Sequence, residues 1–179
     1  MNREHSLVEL VDPEGRVVGS ATVAEAHAAP GQLHRAFSVL LVDPAGRLLL
    51  QRRSAAKTRF PLRWANACCG HPAPGEPVVT AGTRRLAEEM GLTGVPLTEV
   101  GVYVYRAVDP GTGRVEHEYD HVLLGRTPEE PELTPDEAEV ADVRWVSSTD
   151  LLAAADVRPE TYAPWLRGVV RAWVVGDDR

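Results

Sequence analysis

Residues 34–53, HRAFSVLLVDPAGRLLLQRR, constrain the fold more than any other stretch. An apolar run stops at Asp43-Pro44-Ala45-Gly46, four residues that favour a tight turn, and a second apolar run follows. The pattern predicts a β-hairpin ending at Arg52-Arg53. Two further strands are expected in LTEVGVYVYRAVD and VEHEYDHVLLGRT, joined by PGTGR. SLVELVD and PEGRVVGSA predict another pair, turning at Pro13-Glu14-Gly15.

Helical stretches lie between and after these strands. In EPVVTAGTRRLAEEMGL the residues Val78 or Val79, Gly82, Leu86 and Met90 recur at helical spacing. Pro77 suits the first turn and Gly91 the stop. ATVAEAHAAPG predicts a short helix halted by Pro30-Gly31. DVRWVSSTDLLAA predicts a strand and then a helix capped by Ser148 or Thr149, and TYAPWLRGVVRAWVV predicts a C-terminal helix. Residues 54–66 read as a loop. Without repeats or linkers, one α/β domain with mixed strand directions is the economical reading.

A formal net charge of −7 lacks the dense basic face that polyanions require, which argues against nucleic acid as a partner. No apolar run approaches the roughly 18 residues that cross a bilayer, and the first ten residues lack a signal-peptide core. The expected setting is the cytoplasm, with no membrane partner. The two cysteines, Cys68 and Cys69, are neighbours and poorly placed to pair, so two reduced thiols are expected.

The chemistry-bearing residues form two groups. In the first, Glu88 and Glu89 end a helix where the macrodipole disfavours negative charge. A cation would compensate, and a hard divalent ion shared with a phosphate is one candidate. In the second, strand alternation through VEHEYD sends Glu116, Glu118 and Asp120 to one face. Two carboxylates spaced i,i+2 repel unless a proton or cation intervenes. His27, His34 and His71 lie elsewhere in the sequence. Brought together with those carboxylates, they would form a nitrogen/oxygen site suited to zinc or manganese.

The run Gly70, Glu76, Arg84, Glu88, Glu89, Gly91, Leu92 matches the spacing of the Nudix box, except that Arg85 stands where the box has a glutamate. That departure speaks against plain diphosphate hydrolysis. AHAAPGQLHRAFS, RWANACCGHP, YRAVDPGTGRVEHEYDHV and YAPWL follow in order, and together they resemble the type I isopentenyl diphosphate isomerases, divergent members of the Nudix superfamily. The resemblance spans nearly the whole chain. It implies a Nudix-type α/β/α sandwich with a mixed sheet. Residues 1–33 would be an N-terminal strand/helix extension contributing a metal ligand, and 34–179 the core and C-terminal helix.

The resemblance also implies an activity: isopentenyl and dimethylallyl diphosphate interconverted by protonation and deprotonation through a tertiary carbocation. Cys69 maps to the catalytic cysteine, and Cys68 has no matching role. His27, His34, His71, Glu116 and Glu118 map to the ligands of a divalent ion, Mn2+ or Zn2+. Glu89 maps to the residue that holds Mg2+ with the substrate diphosphate, and Arg53, Lys57 and Arg85 map to the diphosphate-binding cations. Tyr105 accompanies Glu118 in proton transfer, and Trp165 faces the carbocation. Some members carry a lysine at the position of Val23. The implied partner is a small prenyl diphosphate, and the implied assembly a monomer or weak dimer. Two alternatives are a Nudix hydrolase of nucleoside diphosphate derivatives and a non-catalytic metal-binding domain.

Overall fold

The computed structural model describes residues 3–129 and 131–177. Among them run β1 (Leu7–Val11), β2 (Val17–Thr22), α1 (Val23–Ala26), β3 (His34–Val42), β4 (Arg47–Arg53), β5 (Trp64–Ala65), β6 (Cys68–Gly70), α2 (Val78–Met90), β7 (Leu97–Val108), β8 (Val115–Arg126), β9 (Val140–Ser147), α3 (Ser148–Val157) and α4 (Leu166–Asp177). One mixed sheet holds these strands. At its centre β3 lies parallel to β8, from His34↔Glu118 to Val42↔Arg126. β7 extends the sheet antiparallel to β8, and β9 and β5 flank β4.

Helices cover both faces. Phe37, Val39, Leu41, Leu49 and Leu123 pack with Ala81, Leu86 and Met90 of α2. Their chain neighbours Leu40, Val42, Leu48, Leu50, Val122 and Leu124 pack on the opposite face with Leu151 of α3 and Leu166, Val169 and Val170 of α4. This is the α/β/α sandwich that the resemblance implies. The N-terminal hairpin joins the sheet through Leu10↔His34 and buries a small core of Val8, Ala21, Val23 and Ala26.

Several boundaries differ from expectation. The cap of α3 is Ser147, whose hydroxyl accepts from the Asp150 amide at 3.0 Å, one residue before the expected Ser148 or Thr149. Pro77 is the N-cap of α2 rather than part of its first turn, whereas Gly91 ends the helix at φ 66° as its position predicts. α1 stops at Ala26, ahead of Pro30-Gly31. Residues 54–66 are not wholly a loop, because Trp64–Ala65 pair with β4. The last helix starts only at Leu166, since Tyr162 bridges to Trp64 in extended conformation.

Candidate active site and metal centre

The adjacent cysteines separate because β6 is a strand. Cys68 turns into the α2 core and is fully buried, while Cys69 turns to the opposite face. The same alternation places His34 and Ser38 of β3, Tyr105 of β7, and Glu116, Glu118 and Asp120 of β8 on the Cys69 face. That face is therefore divided: apolar beneath α3 and α4, polar toward the N-terminal hairpin. A cleft of about 680 Å³ opens over the polar part, lined among others by Arg53, Lys57, Cys69, His71, Arg85, Tyr105, Glu116, Glu118 and Trp165.

Three histidines gather around Glu118. His27, His34, His71 and Glu118 each offer an atom within 4.8 Å of the others. His27 comes from the end of α1, His34 from the start of β3, and His71 from just after β6. The hydrogen bonds decide which nitrogens are available. Nδ1 of His27 lies 2.7 Å from the Val23 carbonyl and Nδ1 of His34 lies 2.8 Å from the Gln32 carbonyl. Carbonyls only accept, so both Nδ1 atoms carry hydrogen, and in the neutral rings both Nε2 atoms present lone pairs.

Those lone pairs face other acceptors. His27 Nε2 is 2.8 Å from Glu116 Oε2, and His34 Nε2 is 3.1 Å from His71 Nε2 and 3.7 Å from Glu118 Oε1. His71 Nε2 is 3.0 Å from the same Glu118 oxygen. Converging lone pairs and carboxylates suit a divalent cation, and carbonyl-fixed Nδ1–H groups are the usual outer support for ligating imidazoles. Glu116 also accepts from Arg59 Nε at 2.9 Å.

Burial pushes the Glu118 carboxyl upward, but the neighbouring His34 and His71 imidazoles prevail and hold it well below the usual range. Burial lowers His71 to about 4, against the pull of Glu118. Asp120 goes the other way: burial, reinforced by Glu118, raises it well above an ordinary aspartate. Tyr105 donates to Glu118 Oε2 at 2.6 Å, and its own ionisation is suppressed by burial and by that carboxylate. Burial and the charge of Asp120 push the Cys69 thiol up to about 12, so it retains its proton. Trp165 is 2% exposed, with its ring centroid 6.0 Å from that of Tyr105.

A second charged cluster lies at the end of α2. Glu89 is 1% exposed and meets Arg85, Lys57 Nζ at 3.6 Å and Gln51 Nε2 at 2.9 Å. Glu139 pairs with Lys57 and lies 3.7 Å from Arg85. The Arg53 guanidinium sits 5.4 Å from the Trp165 ring centroid and donates to the Arg59 and Phe60 carbonyls. Glu76 and Arg84 of the box brace one another at 3.1 Å, and Arg84 reaches Glu88 at 3.3 Å. Val23, at the site of the missing lysine, lines the cleft and is 5% exposed in the small N-terminal core.

The fold thus brings Arg53, Lys57, Arg85, His71, Glu116 and Glu118 to the wall of one cleft, with Glu89, His27 and His34 buried in contact with them. Sequence reasoning passed over Asn66, Ser38, Gln51, Arg59 and Glu139, all of which bond to these groups. Their partners are distant in sequence. Alternation already placed Asp120 beside Glu118, but gave it no role.

Comparisons with known proteins give the family. Residues 32–169 match the NUDIX domain. The chain is 61% identical over 163 residues to the isopentenyl-diphosphate Delta-isomerase of Nocardia farcinica, covering 91% of each protein. It is 43% identical over 170 residues to the protein of that name from Halorhodospira halophila, covering 95% of this chain and 96% of the relative. Among solved structures, DR0079 of Deinococcus radiodurans shares the fold with a TM-score of 0.74 at 20% identity, over 93% of this chain and 98% of that one. The chain belongs to the NUDIX family and, within it, to the isopentenyl-diphosphate Delta-isomerases.

Proposed function

We propose that the protein interconverts isopentenyl and dimethylallyl diphosphate. The observation that carries this reading is one cleft holding a thiol, a tyrosine-bonded carboxylate and a buried indole beside a cluster of cations. Moving the double bond requires a proton added at one carbon and another removed two carbons away. Cys69 and the Glu118–Tyr105 pair are the two proton-carrying groups.

Burial and Asp120 favour the protonated thiol at Cys69, whereas the His34 and His71 imidazoles favour the ionised carboxylate at Glu118. That is the arrangement in which the forward reaction ends and the reverse begins: Glu118 has given a proton to the alkene and Cys69 has taken one. The next forward turnover starts once Glu118 has regained a proton and Cys69 has released one. Trp165 offers its π face to the intermediate cation, worth about 2 kcal/mol when desolvated. That is about 30-fold in rate. The remaining acceleration comes from positioned proton carriers and the exclusion of water, which would trap the cation.

Arg53, Lys57 and Arg85 hold the diphosphate, with Glu89 as the carboxylate for a Mg2+ ion bound alongside it. His27, His34, His71, Glu116 and Glu118 hold Mn2+ or Zn2+. When bound, such an ion supplies positive charge that polarises Glu118. The whole chain acts as one unit, since residues 1–33 provide His27 and 34–179 the rest. No helix among the described residues is long and apolar enough to cross a membrane, and the reading places the enzyme in the cytoplasm as a monomer or weak dimer.

A proton NMR time course in deuterated water, with isopentenyl diphosphate, Mg2+ and metal-replete protein, tests this directly. The expected product is dimethylallyl diphosphate carrying deuterium in a methyl group. Release of inorganic phosphate or of isopentenol would instead assign a hydrolase.

A further inference from the structure

Asn66 sits in the bend between β5 and β6, is completely buried, and uses every polar atom of its side chain. Its Nδ2 lies 3.2 Å from the Val39 carbonyl and 2.8 Å from the Cys68 carbonyl. Both carbonyls can only accept, so the amide orientation is fixed by chemistry: nitrogen toward β3 and β6, oxygen toward the cleft. Its Oδ1 then faces Cys69 Sγ at 3.2 Å and Trp165 Nε1 at 3.1 Å. The indole N–H can only donate, which confirms that an oxygen stands there. The same oxygen receives the thiol.

One atom therefore fixes two groups that arrive from distant parts of the chain. Cys69 lies on β6 and Trp165 in the turn before α4, 96 residues on by their numbering (165 − 69). Resting on the function proposed above, we propose that Asn66 is a positioning residue for the reaction, its side-chain oxygen orienting the Cys69 thiol and the Trp165 indole together toward the substrate. The bonds through Nδ2 are the structural half of its role, since they tie the bend to β3. The bonds through Oδ1 contribute little to that tie. They aim a proton carrier and a cation-facing ring, and misplacing such groups by an ångström costs about 100-fold in rate.

Two variants separate the halves. Asn66→Ala removes both; Asn66→Asp, whose buried carboxyl must stay protonated to donate to one of the two carbonyls, retains an oxygen toward Cys69 and Trp165. Isomerase kinetics are read together with the indole N–H resonances of uniformly 15N-labelled protein. The four tryptophans give four such resonances, and Trp165→Phe identifies the relevant one. For Asn66→Ala we expect kcat to fall about 100-fold with KM within about threefold, because the diphosphate cations lie elsewhere in the cleft. The Trp165 resonance should move while the other three stay. Asn66→Asp should recover about tenfold of the lost kcat.

A kcat within about threefold of the parent in Asn66→Ala overturns the inference. So does a loss in both variants accompanied by movement of all four indole resonances, which would make Asn66 a residue of the fold alone. A parent protein that does not isomerise at all sinks the proposed function instead. The resonances then judge Asn66 separately, and an unmoved Trp165 signal in Asn66→Ala overturns it.

Discussion

The two carboxylate centres of the cleft solve the same electrostatic problem in opposite ways. Glu89 is buried among cations the chain itself supplies, Arg85 and Lys57, with a further carboxylate, Glu139, balancing them. Glu116 and Glu118 are buried among imidazoles, and among the described residues only Arg59 contributes a permanent positive charge in contact, at Glu116. The first centre has cations paired internally with Glu89 and Glu139. The second has lone pairs in excess and could hold a cation. The difference follows from residue type: arginine and lysine remain charged when buried beside carboxylates, whereas burial drives His71 toward its neutral form.

The largest expected effect comes from breaking the histidine centre. Glu118→Gln removes a proton carrier and a cation ligand at once, so isomerisation should fall about 1000-fold or more. Bound transition metal, measured by atomic emission, should fall with it, while calorimetric binding of inorganic pyrophosphate persists. Retained activity would remove Glu118 from proton transfer. Glu89→Gln is the mirror experiment. It should raise the Mg2+ concentration for half-maximal rate about tenfold, equivalent to about 1.4 kcal/mol. Transition-metal content should stay at the parent level. If each variant disturbs both readouts equally, the two centres act as one.

Why one centre was easier to read than the other also has a physical basis. Glu88, Glu89, Arg84 and Arg85 lie on a single helix, so a 3.6-residue period suffices to place them. Strand alternation correctly put Glu116, Glu118 and Asp120 on one face, all three now buried. The convergence of His27, His34 and His71 depends on β3 lying parallel to β8 and antiparallel to β6, a pairing no local pattern encodes. Resemblance named those histidines; residue patterns alone left them scattered. Asn66 shows the limit most clearly. An asparagine before two cysteines carries no periodic signal, and its partners Val39 and Trp165 come from elsewhere in the sequence. The two-residue strand Trp64–Ala65 escaped for the same reason, since only pairing with β4 defines it.

A smaller effect distinguishes the centres through the scaffold. Gly82 lets α2 approach the sheet so closely that an added Cβ would lie 2.5 Å from Leu123 Cδ1. Gly82→Ala overpacks that contact and should cost about 1–3 kcal/mol in urea unfolding. Because α2 carries Arg85 and Glu89, KM for the diphosphate should rise, with the transition-metal content unchanged. A stability loss without any KM change would mean that α2 accommodates the methyl without moving its charged end.

The smallest effect concerns the segment touching both centres. In the 3-10 turn Arg3–His5, Arg3 pairs with Glu88 and Glu139 on the α2 side. Glu4 pairs with Arg59, which also holds Glu116, and with Arg114. Partial burial raises the Glu4 carboxyl, but Arg59 and Arg114 outweigh it and bring the pKa down from 4.5 to about 2. A carboxyl whose folded pKa is depressed stabilises the fold above its unfolded value and loses that contribution as pH falls through the folded one. The pairs are partly solvated, so Glu4→Gln should cost no more than about 1 kcal/mol at pH 7. That difference from the parent should hold constant down to the unfolded value of 4.5 and vanish as the pH approaches about 2. Urea midpoints of the two proteins at pH 7, 4 and 2.5 measure it. A gap that persists undiminished at pH 2.5 would show that the Glu4 side chain holds the turn by packing rather than by charge, and that the strap joins the centres sterically.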